Sequence, residues 1–197
     1  MSKKKGAGII PFTQKNNTSF FLFHKTFKGR RSGLLVDFGG GSNEGESYQQ
    51  TAIREFIEET EAMFFAADIK TSDKDSSSQS SVLAGLLHKT QQRHPGWWCS
   101  RRRLTDQSLK DWKTFFVEVG YKDLSLMNKA WATDTAHRFV KRRELLWISK
   151  EELINIIEQS PEKLWDRVRE LDNLKALVLE ISTSVPSTPT IQPDRKF

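Results

Sequence analysis

The sequence predicts a soluble α/β domain, and three observations predict it. A pair of short β-prone runs opens the chain, a capped amphipathic helix follows three consecutive glycines, and strand-to-helix steps recur towards the end. At 197 residues the chain is long enough for one well-packed domain with insertions and short for two. Its 37% hydrophobic and 28% charged residues suit a globular protein rather than a disordered or membrane-spanning one.

The elements follow in order. Gly8 to Phe12 and Ser19 to His24 are short, apolar and β-prone, and Gln14-Lys15-Asn16-Asn17 between them reads as the turn of a hairpin. Leu34 to Phe38 predicts a third strand. After Gly39-Gly40-Gly41, Ser47 and Gln50 have the form of a capping box, and Ala52, Ile53, Phe56 and Ile57 recur at helical spacing, which predicts a helix from about Tyr48 to Thr60. The polar, Ser-rich run Asp73 to Ser81 reads as a surface loop and Val82 to Gln92 as a short helix, inside an insertion over about 71–112. Thr114 to Val119 and Leu145 to Ile148 are strand candidates for the main sheet. Ser149 with Glu152 caps a helix carrying Leu153, Ile156 and Ile157. Ser160-Pro161 opens a further helix whose Leu164, Val168, Leu171, Leu174 and Val178 form one apolar stripe. From Pro186 to Phe197 the composition is that of a tail without fixed structure, leaving one domain over 1–185.

Composition also excludes. The longest apolar runs, Phe20 to Phe23 and Ala62 to Ala67, fall far short of the roughly 20 residues a membrane-spanning helix needs. The basic opening is followed by an apolar stretch that ends at Pro11 and Phe12, too soon for a secretory signal. Cys99 is the only cysteine, so the chain builds neither an internal disulfide nor a thiolate zinc cage. Residence in the cytoplasm is the expectation. His24, His88, His94 and His137 show no paired ligand spacing and read as structural or surface residues. The formal charge of +6 favours anionic ligands without separating a nucleotide from a nucleic acid.

The segment Gly40 to Ala62 carries the chemistry. On a helix advancing about 100° per residue, Glu55, Glu58 and Glu59 share one face while Ile53, Phe56 and Ile57 point to an adjoining one. Such crowding costs roughly 0.2–0.5 kcal/mol per like-charged pair, and acids near a helix C-terminus face the unfavourable end of its dipole. A divalent cation reverses the sign of both effects, and magnesium favours one or two carboxylates plus the oxygens of a substrate phosphate. The plain alternative is a solvated acidic face with Arg54 as an ordinary partner.

Gly40, Glu46, Arg54, Glu55, Phe56, Glu58 and Glu59 fit the pattern G-x5-E-x7-R-E-U-x-E-E-x-G-U, with U a bulky apolar residue, and the segment resembles the Nudix box. The resemblance extends over most of the chain in order of elements, ending on Glu144-Leu145-Leu146-Trp147-Ile148 leading into Glu151-Glu152-Leu153. It implies a Nudix-like α/β/α sandwich with a mixed sheet between helices. The implied activity is a pyrophosphohydrolase dependent on Mg2+ or Mn2+, cleaving a phosphoanhydride in a nucleoside diphosphate linked to another moiety. By resemblance Glu58 and Glu59 are the main metal ligands, with the Gly39 carbonyl adding an oxygen. Arg54 orients Glu55, which is a ligand or the general base. Glu46 supports the site or simply sits well at the positive end of the helix. Glu144 is an additional base or ligand, or a surface acid. Glu61 stands where the family has its second Gly, and Ala62 is small for the closing apolar position. A left-handed helix exit is then less comfortable, so the helix is expected to run on or to end differently.

His94 to Arg103 combines Trp97 and Trp98 with Arg101, Arg102 and Arg103. Rings stack on bases and Arg pairs with phosphate, which makes Trp97, Trp98 and Arg101 candidate substrate contacts and RNA a candidate partner. The alternative is an insertion whose Trp residues pack and whose Arg residues are solvated. A second function follows from the first option: a Nudix-fold nucleotide- or RNA-binding module, including RNA-cap recognition, with little turnover.

Overall fold

Asn16 and Asn17 both adopt left-handed backbone, φ 51° and 62°, so the chain reverses within two residues between β1 (Gly6–Lys15) and β2 (Thr18–Thr26). Asn tolerates that region better than other side chains, and Lys15 lies opposite Thr18 as a two-residue hairpin requires. The computed structural model describes residues 5–69, 76–137, 139 and 142–184. The tail expected over 186–197 and the first residues of the expected loop, 73–75, lie outside them.

The third strand is not where the apolar run predicts it. β3 is Phe38–Gly41 and pairs antiparallel with Gly6–Ile9, whereas Leu35 and Val36 make only single bridges, to Leu164 and His24. Space decides this. A Cβ at Gly39 would stand 2.6 Å from the Ala7 carbonyl oxygen, so only glycine lets β3 lie this close to β1.

One edge of β1 pairs in parallel with β5 (Leu109–Glu118), and the other is shared, β3 on its first half and β2 on its second. β4 (Trp98–Arg102) adds to β5 and β6 (Arg143–Ser149) to β2, both antiparallel. The mixed sheet therefore runs β4-β5-β1-β2-β6 with β3 beside β1. Strand alternation feeds two cores. Ile9, Leu22, Phe115 and Val117 face α1 (Tyr48–Glu59), α2 (Ser76–Arg93) and α3 (Ser125–Ala132). Ile10, Phe23 and Phe116 face α4 (Lys150–Gln159), α5 (Asp166–Arg169) and α6 (Leu174–Ser184). This is the α/β/α sandwich with a mixed sheet that the sequence predicts. No helix among the described residues is long and apolar enough to cross a membrane.

α1 begins as predicted: Ser47 Oγ accepts from Gln50 N and Gln50 Oε1 accepts from Ser47 N. Ala52, Phe56 and Ile57 fix its inner face. Its exit corrects the expectation drawn from the missing glycine. The helix stops at Glu59, and Glu61 and Ala62 enter left-handed backbone at φ 49° and 52° without a glycine. Burial of Ala62, Met63 and Phe64 in the first core holds them there, against a cost of about 1–3 kcal/mol for each left-handed non-glycine.

Three further elements depart from the expectation. α2 starts at Ser76, inside the expected loop, because Ser80 and Ser81 hydroxyls donate to the carbonyls of Ser76 and Ser77 and satisfy themselves along the helix. α3 had no counterpart in the reading of the sequence; it buries Met127 and Trp131. The helix expected from Ser160-Pro161 is broken into a 3-10 turn, α5 and α6. Leu35 N donates to Lys163 O and Trp165 N to Leu35 O, which pulls the chain out of helix between them. All five residues of the predicted stripe still reach the second core.

Because Leu83 is fully buried against α1 and β5 residues, Leu83→Ala is expected to destabilise the protein by about 2–5 kcal/mol in chemical denaturation. A change under about 0.5 kcal/mol would show that residues 76–93 are a surface addition.

Candidate active site

Arg54 is the hub of the box. Its Nε donates to Glu46 Oε1 at 2.8 Å, Nη2 to Glu46 Oε2 at 3.1 Å and to the Gly41 carbonyl at 2.8 Å, and Nη1 to Glu55 Oε1 at 2.8 Å and Glu58 Oε1 at 3.3 Å. A planar fork with five donors can hold three carboxylates at once, which a lysine could not. Glu46, just before α1, also accepts from Asn43 N and Thr51 Oγ1. The Arg54 hydrogen bond foremost holds its carboxyl down at about 2. Glu55 is pressed against Gly40, where a Cβ would stand 2.2 Å from its Oε1. Burial pushes the Glu55 carboxyl up against the pull of Arg54, and the neighbouring charges of Glu59 and Glu58 add to the rise. Glu58 is half exposed and, with Arg54, Ile53, Ser77 and Ser81, lines a hollow of about 540 Å³ between α1 and α2.

Glu59 has a different fate. Its side chain is buried, Oε2 accepting from Gly39 N at 2.9 Å and Oε1 standing 3.1 Å from Arg143 Nη1. His24 Nε2 lies 3.5 Å from Glu59 Oε2 and 2.9 Å from Arg143 Nη1. Burial alone would raise the Glu59 carboxyl, but the His24 contact and the charges of Arg143 and Arg167 hold it down at about 2. Burial pushes the His24 imidazole below its usual range, against the pull of Glu59. On the other side of the same glycine, Arg167 donates Nη1 to the Gly39 carbonyl, Nη2 to the Asp37 carbonyl at 2.7 Å and Nε to Asp37 Oδ1 at 2.6 Å.

The other expected residues disperse. Arg143 and Leu145 face α1, so strand alternation turns Glu144 to the opposite face with Leu146 and Ile148, opposite Lys25 of β2. Glu144 is thus away from Glu55 and Glu58. Trp97 packs in the second core, stacked on His94 at 3.6 Å with Nε1 donating to Glu180. That corrects its candidacy as a substrate contact. Trp98, the next residue, lies on the other face, partly exposed beneath Lys113 and beside a hollow of about 330 Å³ with Tyr48 and Trp112. Arg101 pairs with Glu170 at 2.5 Å and is mostly buried, whereas Arg102 pairs with Asp172 at 2.9 Å and keeps 46% of its side chain exposed.

Reading the sequence missed Arg143, Arg167 and Asp37. One signal existed: Asp37 interrupts the apolar run Leu34 to Phe38, and an acid there needs a buried partner. Nothing local names Arg167, which is 130 residues away.

A divalent ion would find a partial set of donors. Among the described residues no three His, Cys, Asp or Glu groups converge as a cage. Glu55 and Glu58, whose hydrogen bonds come from Arg54, suit magnesium bound mainly through a substrate's phosphates. Glu59 and the Gly39 carbonyl, as arranged, do not: both Glu59 oxygens are engaged and buried and Arg167 stands on the carbonyl, whereas Arg54 meets a single oxygen of Glu55 and of Glu58 and Glu58 is half exposed.

No family model matches the chain. The uncharacterized protein L534 of Acanthamoeba polyphaga mimivirus is 26% identical over 184 residues, covering 79% of this chain and 59% of that protein, so the chain spans less than two thirds of this relative. Two solved structures are similar in outline. The Ap4A hydrolase of C. elegans has 15% identity and a TM-score of 0.49, over 91% of this chain and 96% of the other. The NUDIX domain of Shewanella oneidensis NrtR, complexed with ADP ribose, has 12% identity and a TM-score of 0.49, over 93% and 90%.

Two outcomes are expected. Trp97→Ala should lower stability by about 3–5 kcal/mol and Trp98→Ala by about 1 kcal/mol at most, measured by urea denaturation; the reverse ranking would put Trp97 outside the core. Glu46 and Glu59 are lowered from 4.5 to about 2 in the folded chain. Their contribution is complete above pH 4.5 and is lost as pH falls towards 2. Melting temperature should fall across that window, and less steeply in Glu46→Gln. Identical slopes in both proteins would contradict the Arg54–Glu46 pairing.

Proposed function

We propose that the chain is a Nudix-type hydrolase that cleaves a phosphoanhydride in a nucleoside diphosphate linked to another moiety. The observation that carries this reading is the gathering of Glu46, Glu55 and Glu58 on one guanidinium beside the glycine strand. Three acids held by one cation leave excess negative charge, and Arg54 and Glu58 of this group line an open hollow, a setting that favours a divalent ion arriving with a phosphate ligand.

Glu55 is the general base in this reading. Its carboxyl is the one of the box that burial raises, while those of Glu46 and Glu59 are depressed, and a base whose pKa lies nearer the working pH transfers protons more effectively. It takes a proton from the water that attacks phosphorus, and the departing group is the second phosphate. Arg54 positions Glu55 through the 2.8 Å hydrogen bond and keeps Glu58 on the same side. A Mg2+ or Mn2+ ion held by Glu55 and Glu58 would supply positive charge opposite the phosphate oxygens. The 540 Å³ hollow beside Glu58 offers room for the substrate. A nucleotide- or RNA-binding module without turnover is favoured less, because Trp97 is buried and Arg101 is paired with Glu170.

Glu55→Gln and Glu58→Gln are each expected to lower turnover at least about a hundredfold, a loss of roughly 2.7 kcal/mol of transition-state stabilisation. The control is Glu61→Gln, which alters an acid outside the Arg54 cluster and should leave turnover within a few-fold. A screen of dinucleoside polyphosphates, nucleotide sugars and ADP-ribose with Mg2+ and Mn2+ supplies the assay. Equal losses in all three variants, or full activity in excess chelator, would remove this helix from the chemistry.

A further inference from the structure

Glu59 and the Gly39 carbonyl are the two oxygens of the box that the resemblance assigns to a metal and that the folded chain gives to arginine. Arg143 reaches Glu59 from β6, and Arg167 reaches the Gly39 carbonyl from α5. Neither arginine belongs to the box. Arg143 and Glu59 are each 4% exposed in their side chains, and Arg167 is 8% exposed with its Asp37 partner wholly buried. Solvent screening is weak at such burial, so two guanidinium groups supply the positive charge that these oxygens require.

We propose that Arg143 and Arg167 take the place of a divalent cation between the Glu59 carboxylate and the Gly39 carbonyl. Glu59 is then a positioning residue, and divalent ions reach the chain only through Glu55 and Glu58. The inference rests on reading the box as phosphoanhydride chemistry for its last clause alone. The arginine substitution itself stands on the contacts. Three features of the group fit a built-in cation. Gly39 is held on both flanks, its N–H by Glu59 and its carbonyl by Arg167, so an ion at this carbonyl has to displace a guanidinium. Both Glu59 oxygens are engaged, one by the Gly39 N–H and one by Arg143. A divalent ion entering here would also sit beside two fixed guanidinium charges, which repel it.

The test uses the full chain, with Mn2+ alone as the probe and no substrate. Melting temperature is measured in chelator and in Mn2+, and Mn2+ binding is followed by the loss of the free-ion electron paramagnetic resonance signal. In chelator, Glu59→Gln is expected to melt several degrees below the unsubstituted protein, because Arg143 loses its buried counter-charge. Its Mn2+ affinity should be unchanged, whereas loss of a true ligand weakens affinity by at least about tenfold. Arg143→Met exposes Glu59 to an incoming ion, so Mn2+ should raise its melting temperature more than that of the unsubstituted protein. The extra rise should vanish in Arg143→Met combined with Glu59→Gln.

A Glu59→Gln protein that keeps its melting temperature in chelator and loses Mn2+ binding would overturn the proposal and restore Glu59 as a ligand. If Glu59→Gln does not fold, Arg143→Met decides by itself: equal Mn2+ effects on it and on the unsubstituted protein overturn the substitution. Absence of turnover on every nucleotide would sink the hydrolase reading and leave these melting and binding results standing. The two failures are therefore distinguishable.

Discussion

Gly39 is the residue on which the sheet, the acidic helix and the far helical layer meet. Its N–H goes to Glu59 at the end of α1, and its carbonyl goes to Arg167 on α5. The partners extend the contact to β6 through Arg143 and back to the β3 approach through Asp37. Removing two carboxylates and two guanidinium groups from water is costly, and isolated buried charges of this size would not survive. Two opposite pairs meeting at one residue offset much of that cost. Breaking either pair leaves a buried charge without its partner, a loss of about 3–5 kcal/mol, whereas a well-packed apolar replacement of both could be neutral. The group therefore contributes little net stability and much definition of place. It fixes where α1 ends relative to β3, and hence where Glu55 and Glu58 stand.

That placement sorts the acids of one helix face. Spacings of three and four place Glu58 and Glu59 on the same side of a helical wheel as Glu55, yet the fold buries the last, half-exposes the second and presses the first against Gly40. Arg54 stabilises the crowding in place of an ion, since its fork reaches Glu46, Glu55 and Glu58 together. The depressed Glu46 and Glu59 stay charged through ordinary pH, while Glu55 is the acid whose proton affinity rises. The acids of one helix are thus separated in proton affinity by their surroundings alone.

What could be read in the sequence was local. The capping box at Ser47 and Gln50, the inner face through Ala52, Phe56 and Ile57, and the Arg54 cluster all lie within one turn or two of their partners. Periodicity and short spacing report such contacts directly. The hairpin, the cap at Ser149 and the buried stripe from Leu164 to Val178 were legible for the same reason. Contacts closed by the fold were not. β3 sits on the glycines because β1 approaches too closely for a side chain, a fact that no propensity at Leu34 to Phe38 contains. The stripe breaks at Trp165 because Leu35, far back in the chain, pairs with it. Arg143 and Arg167 look like surface arginines until Glu59 and Asp37 arrive from elsewhere. Trp97 and Trp98 are indistinguishable by composition, and only strand alternation sends one into the core and the other towards Lys113.

The same closure changes the meaning of the net charge. A formal +6 reads as a field for anionic partners, and the run Arg101-Arg102-Arg103 reads as its focus. Glu170 accepts from both Arg101 and Lys110, and Asp172 from Arg102. These pairs tie β4 and β5 to the connection between α5 and α6, where the Arg102 N–H also meets the Glu170 carbonyl and Arg101 bridges Leu171. Arg101 and Arg102 therefore help hold the edge of the sheet to the second helical layer, while Arg103 stays exposed beside Asp106. The same connection follows directly on α5, which carries Arg167. Anchoring β4 to it braces the helix from which a guanidinium reaches the Gly39 carbonyl, so the arginines outside the box act on the box through the backbone they secure.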